Sequence, residues 1–115
     1  MAAMSTALTE FSTSGDSRTY SLTSHTASKA RLVVQKRRVP SGNQKVAETI
    51  ISVVYACDDD NGDLLQSKVV YTATVRYPID IGASETDITD ALAVFRDIVA
   101  GDEFTNTVNT QEFLA

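Results

Sequence analysis

The stretch Leu65-Gln-Ser-Lys-Val-Val-Tyr-Thr-Ala-Thr-Val-Arg-Tyr77, closed by Pro78, alternates over its whole length. Leu65, Val69, Tyr71, Ala73, Val75 and Tyr77 share one parity, interrupted only by Ser67. Gln66, Lys68, Thr72, Thr74 and Arg76 share the other, where Val70 is the lone aliphatic. Successive side chains of a strand point to opposite faces, so the stretch reads as one long strand with an apolar and a polar face. The polar parity carries Lys and Arg and no acid, although 15 acidic residues against 10 basic ones leave the 115-residue chain at a formal charge of −5.

The same contrast continues upstream. Between positions 26 and 47 stand Lys29, Arg31, Lys36, Arg37, Arg38 and Lys45, with no acid among them. The acids gather in Asp58-Asp-Asp-Asn-Gly-Asp63 and from Asp80 onward. A negative total argues against a polyanionic partner. A segregated charge map can still present a basic face.

Outward from the organising strand the chain reads as a run of hairpins. Residues 7–12 and 18–23 form an N-terminal hairpin around Thr13-Ser-Gly-Asp-Ser17, where Gly15 is free to take positive φ. Residues 29–38 are a second long strand, with Ala30, Leu32, Val34 and Lys36 on one parity and Lys29, Arg31, Val33, Gln35 and Arg37 on the other. Pro40-Ser-Gly-Asn43 is a turn signal. Residues 45–57, rich in Ile, Val, Thr and Tyr, form a third long strand, and 58–63 a loop tightest at Asn61-Gly62. Beyond Pro78 the period changes. Ser84-Glu-Thr-Asp87 fits a capping box, and Ile88, Leu92, Phe95, Ile98 and Val99 recur at helical spacing up to Gly101, a C′ candidate. That predicts a helix over about 85–100. Residues 102–115 carry Phe104, Val108, Phe113 and Leu114 as scattered anchors and room for a short second helix.

The length suits one domain over 1–115. No apolar run approaches the ~18 to 20 residues of a membrane span, and the start lacks the regions of a secretory signal. A single cysteine, Cys57, excludes an intrachain disulfide and any CxxC pair, and one His with one Cys makes no common zinc site. Cys57 reads as strand-end packing, with an intersubunit disulfide as the minor reading, and His25 as a surface residue in a polar connection. The 58–63 loop fails as an EF-hand, since Gly62 at the sixth position would make Cys57 the first ligand and Lys68 the twelfth. A calcium ion shared between subunits is the minor reading for it; otherwise no cofactor is expected. No nucleophile–base pair is visible, so no enzyme is expected.

Three strands of about twelve residues would each be ~40 Å long, and one helix of about sixteen residues ~24 Å. Such a helix leaves much of the apolar face wet, a costly surface that a two-fold partner could cover with its own helix. The expected architecture is therefore α+β: an antiparallel sheet with an N-terminal hairpin, a C-terminal helix packed on one face, and a two-fold dimer partner completing it, with Ile88, Leu92, Phe95, Ile98 and Val99 at the dimer interface.

This layout, with Ala73-Thr-Val-Arg-Tyr-Pro78 and Asp90-Ala-Leu-Ala-Val-Phe-Arg-Asp-Ile-Val-Ala100 as its most telling segments, resembles the coat proteins of single-stranded RNA bacteriophages, the leviviruses. The resemblance covers nearly the whole chain. It implies an interlocked homodimer that assembles into an icosahedral shell around single-stranded RNA, in the virion and in the bacterial host cytoplasm during assembly. It implies helices facing outward, the sheet facing RNA, and a genomic hairpin bound as a translational repressor. The loop Asp58, Asp59, Asp60, Asn61, Gly62 and Asp63 would make contacts around symmetry axes. With Pro78 as anchor, the RNA-facing set would be Lys29, Arg31, Val33, Gln35 and Arg37 on the first long strand, Ser52 with Glu48 on the middle one, and Lys68, Val70, Thr72, Thr74 and Arg76 on the last. The family often stacks a base on a last-strand Tyr; the matching position here is Val70, while Tyr71 has the opposite parity. That departure favours general RNA packaging over hairpin recognition. A small dimeric RNA-binding regulator without a shell is the competing reading.

Overall fold

The computed structural model describes residues 4–40, 46–78 and 85–115. They form β1 (Thr9–Ser14), β2 (Ser17–Ser21), β3 (Arg31–Arg38), β4 (Val46–Tyr55), β5 (Val69–Pro78), α1 (Glu85–Ala100) and α2 (Asp102–Thr110). The chain falls into two compact units, Met1–Pro78 and Ile79–Ala115.

The first unit is an antiparallel meander in the order β1-β2-β3-β4-β5. Strands joined by short connections pair with their sequence neighbours. Gly15 turns the first hairpin at φ +58, a region open to glycine. Arg37 then holds that turn against β3, its backbone N–H donating to Asp16 O at 2.9 Å and its Nε to Asp16 Oδ1 at 3.2 Å. In β1 the register slips between Glu10 and Ser12. The Phe11 ring at this bulge meets His25 edge to face, with centroids 5.2 Å apart.

His25 corrects the reading of a surface residue. It is half-buried, and its Nδ1 accepts the backbone N–H of Arg31 at 3.1 Å. The neighbouring sequence is polar, yet the ring supplies the acceptor for the first N–H of β3.

The β4–β5 ladder pairs Tyr55 with Val69. Leu65, however, donates its N–H to Cys57 O at 2.9 Å, out of step with that ladder. Residues 65–68 therefore leave the sheet, and β5 begins at Val69 rather than at Leu65. The loop between them is closed by its own hydrogen bonds. Asp59 Oδ1 accepts the N–H groups of Asn61 at 2.8 Å and Asp63 at 2.9 Å, and Gly62 takes φ +85. Strands β3, β4 and β5 run 8, 10 and 10 residues, shorter than the sequence pattern predicts.

In the second unit α1 spans the predicted helix. Its predicted cap, Ser84, lies outside the described residues, as does most of the 40–43 turn. Gly101 does not end α1 in a left-handed C′ conformation. It is extended at φ −80, ψ 158, and opens α2 directly. A Cβ there would meet Glu103 Oε2 at 3.0 Å, the end of a flexible side chain, and Asp97 O at an ordinary 3.4 Å, so this corner does not demand glycine. Gln111 at φ 59 closes α2, its N–H bonding Thr107 O at 2.9 Å.

Among the described residues one apolar side chain is buried, Ala56 at 1% exposure. Tyr71, Val75 and Tyr77 of the sheet are exposed, and so are Ile88, Leu92, Phe95, Ile98 and Val99 of α1, at 40% to 48%.

Candidate nucleic-acid interface

Residues opposite one another in an antiparallel ladder put their side chains on the same face, so the register assigns every strand residue to one of two surfaces. The first carries the cross-strand rows Arg31–Tyr55–Val69, Tyr20–Val33–Val53–Tyr71, Arg18–Gln35–Ile51–Ala73, Arg37–Thr49–Val75 and Ala47–Tyr77. All four tyrosines of the chain stand on it. The second carries Ser21–Leu32–Val54–Val70, Thr19–Val34–Ser52–Thr72, Ser17–Lys36–Ile50–Thr74 and Arg38–Glu48–Arg76.

This pairing divides the expected RNA-facing set between the two faces. Ser52, Thr72, Thr74 and Arg76 do share a face, with Val70 and Glu48. Arg31, Val33, Gln35 and Arg37 stand on the opposite, tyrosine-bearing face. Lys29 precedes β3 and Lys68 precedes β5, so neither is a strand residue. The cations that β3 contributes to the hydroxyl-bearing face are Lys36 and Arg38. Sequence reasoning missed them because Lys36 shares its parity with Leu32 and Val34, which reads as the buried side.

Lys29, Arg31 and Arg37 each have a partner within the chain. Arg31 lies over the Tyr55 ring, its Cζ 4.1 Å from the centroid, and donates from Nε to Ala56 O at 3.3 Å. Lys29 forms an ion pair with Asp58, joining the β2–β3 connection to the β4–β5 loop. Arg37 is bound to Asp16.

On the second face the hydroxyl oxygens of Ser52 and Thr72 lie 3.1 Å apart across the ladder. They sit beside an open depression of about 290 Å³ lined by Val34, Lys36, Ile50, Ser52, Val54 and Val70. Two rows further on, Arg76 and Glu48 form an ion pair, with Nε 3.1 Å from Oε2. Glu48 is the one carboxylate among the strand residues of this face, and it has a cation opposite it on each neighbouring strand. Three cations against one anion leave the strand residues of this face positive. Hydroxyls, guanidiniums and an ammonium beside an apolar depression are groups that bind phosphate oxygens and the edges of unstacked bases.

In the loop Asp58, Asp59, Asp60, Asn61, Gly62 and Asp63, Asp58 bridges to Leu64 and pairs with Lys29, while Asp60 and Asp63 are exposed. Among the described residues no three carboxylate, imidazole or thiol groups converge as metal ligands. No described helix is long and apolar enough to cross a membrane.

No protein-family model matches the sequence, and no curated protein matches it significantly. Solved structures do. The chain is similar to a subunit of the virus-like particle of Wenzhou levi-like virus 4, with TM-score 0.72, 19% identity, and 96% of this chain and 79% of that one covered. It is similar to the particle of Beihai levi-like virus 32, with TM-score 0.74, 11% identity and coverage of 96% and 90%. It is also similar to the particle of Beihai levi-like virus 21, with TM-score 0.76, 12% identity and coverage of 92% and 85%. Five antiparallel strands in meander order followed by two helices, matched over nearly its full length, give this chain the RNA phage coat fold.

Proposed function

We propose that this chain is a capsid subunit that dimerises, assembles into a closed shell and packages single-stranded RNA against the Ser52–Thr72 face of its sheet. The observation that carries the reading is the lack of a core in one copy: among the described residues only Ala56 is buried, while Val69, Tyr71, Val75 and Tyr77 of the tyrosine-bearing face and the apolar stripe of α1 are exposed. At roughly 25 cal/mol per Å² such surfaces are costly to leave in water. A sheet five strands wide spans ~19 Å between its outer strands, whereas a helix is about 10 Å across, so helices from two copies suit one such face. An isologous dimer supplies them, through Ile88, Leu92, Phe95, Ile98 and Val99. The likeness to polypeptides solved as virus-like particles supports the further step from dimer to shell.

RNA is the cargo this surface suits. Lys36, Arg38 and Arg76 supply the salt-sensitive contacts to phosphate, while Ser52 and Thr72 with the depression beside them suit an unstacked base. The role is structural rather than enzymatic, and its place is the virion. Electron microscopy of the purified protein, with the 260 to 280 nm absorbance ratio, tests it. Closed particles of tens of nanometres containing RNA are expected. Dimers that bind RNA without assembling would point to a regulator, and a monomer free of nucleic acid at high dilution would overturn the proposal.

A further inference from the structure

Glu48 is the one acid that the ladder sets among the cations of the hydroxyl-bearing face. It stands between Arg38 on β3 and Arg76 on β5, each directly opposite it in register. Directly paired residues have Cβ atoms about 5 Å apart, so the carboxylate lies within strong electrostatic reach of both guanidiniums. The contact to Arg76 is made, at 3.1 Å from Nε. Glu48 is the more sheltered partner, its side chain 25% exposed against 62% for Arg76. The difference follows from their places in the sheet, Glu48 on the interior strand β4 and Arg76 on the edge strand β5. A guanidinium has five N–H donors, more than one carboxylate contact uses, so an Arg76 paired with Glu48 can still meet a phosphate.

From this arrangement we propose that Glu48 is a built-in counter-charge that sets the strength of RNA binding on this face. It pairs with Arg76 and cancels one of the two positive charges of its row. RNA phosphates must share Arg76 with Glu48 instead of replacing a bulk counterion. Contact on this row is then weaker and more exchangeable than two free arginines would give, a property that suits a subunit meeting many different RNA segments. The inference rests on the RNA-packaging reading and specifies how that surface is regulated.

The test uses assembled or dimeric full-length protein and a fluorescent single-stranded RNA of mixed sequence, with affinity measured from 50 to 200 mM salt. Glu48→Gln keeps the shape and one hydrogen-bonding oxygen but removes the charge. It should bind about fourfold more tightly, the factor expected for one unit charge removed at ~5 Å in water-like surroundings. The slope of log affinity against log salt should steepen by up to about 0.7, the value of one further phosphate contact on a single strand. Arg76→Lys keeps the charge but lacks a second edge for phosphate, so it should bind more weakly than wild type despite equal net charge. Circular dichroism and thermal melting confirm that each variant is folded. A Glu48→Gln protein that is folded and has the wild-type affinity and slope overturns this inference while leaving RNA packaging intact. Wild-type protein that binds no RNA overturns both.

Discussion

The guanidinium of Arg31 lies over the ring of Tyr55, 4.1 Å from its centroid, on the tyrosine-bearing face of the sheet. Its Nε also donates to Ala56 O at 3.3 Å. The side chain therefore joins β3 to the end of β4. Arg31→Ala should lower stability by about 1 to 2 kcal/mol, the sum of a partly desolvated cation–π contact and a hydrogen bond. Chemical denaturation measures it. RNA affinity should stay within about twofold of wild type, since no phosphate contact is lost; a clear loss in folded protein would return Arg31 to the RNA surface.

Lys36 and Arg38 make the opposite prediction. Both are exposed, and both stand on the face of Ser52 and Thr72. The pair Lys36→Ala and Arg38→Ala should leave the fold unchanged and reduce the salt slope of RNA binding by about 1.4, at ~0.7 per phosphate contact. Packaged RNA, read from the absorbance ratio of purified particles, should fall as well. Particles with undiminished RNA would refute the assignment of this face.

Phe95 is 48% exposed in the single chain, on the stripe of α1 that includes Leu92 and Val99. Burying a carboxylate in an apolar dimer interface costs several kcal/mol. Phe95→Asp should therefore abolish the dimer, as measured by size exclusion with light scattering. A variant that still dimerises at micromolar concentration would place the interface elsewhere.

Asp59 organises the β4–β5 loop by accepting two backbone N–H groups with one oxygen, at 2.8 and 2.9 Å. Asp59→Ala leaves those donors to water and should make the loop open to protease at much lower enzyme concentration. Asp59→Asn keeps the acceptor and should restore most of the resistance. Equal cleavage of both variants and wild type would show that the loop is held by other contacts. Assembly yield, scored beside proteolysis, reports whether the ordered loop matters between subunits.

Much of the fold was legible in the chain. Alternation identified β5, turn chemistry at Gly15 and Asn61-Gly62 separated the strands, and the helical stripe from Ile88 to Val99 delimited α1. The trim of β5 from Leu65 to Val69 was not legible, because it follows from one hydrogen bond, Leu65 to Cys57, that no local pattern encodes. Nor was His25, whose role depends on where Arg31 begins its strand.

The candidate site separates the two kinds of information more sharply. By itself the sequence determined that each strand has two chemically distinct parities and that Thr72, Thr74 and Arg76 share one of them. Only the tertiary structure decided which parity of β3 lies beside them. Side-chain direction repeats every two residues, so a change of one residue in the pairing across a turn exchanges the two faces of a strand completely. The register that sets Arg38 opposite Glu48 brings Lys36 and Arg38 to the hydroxyl-bearing face and carries Arg31 and Arg37 to the tyrosines. It also explains Glu48, an unwelcome carboxylate in one dimension and the partner of Arg76 in three.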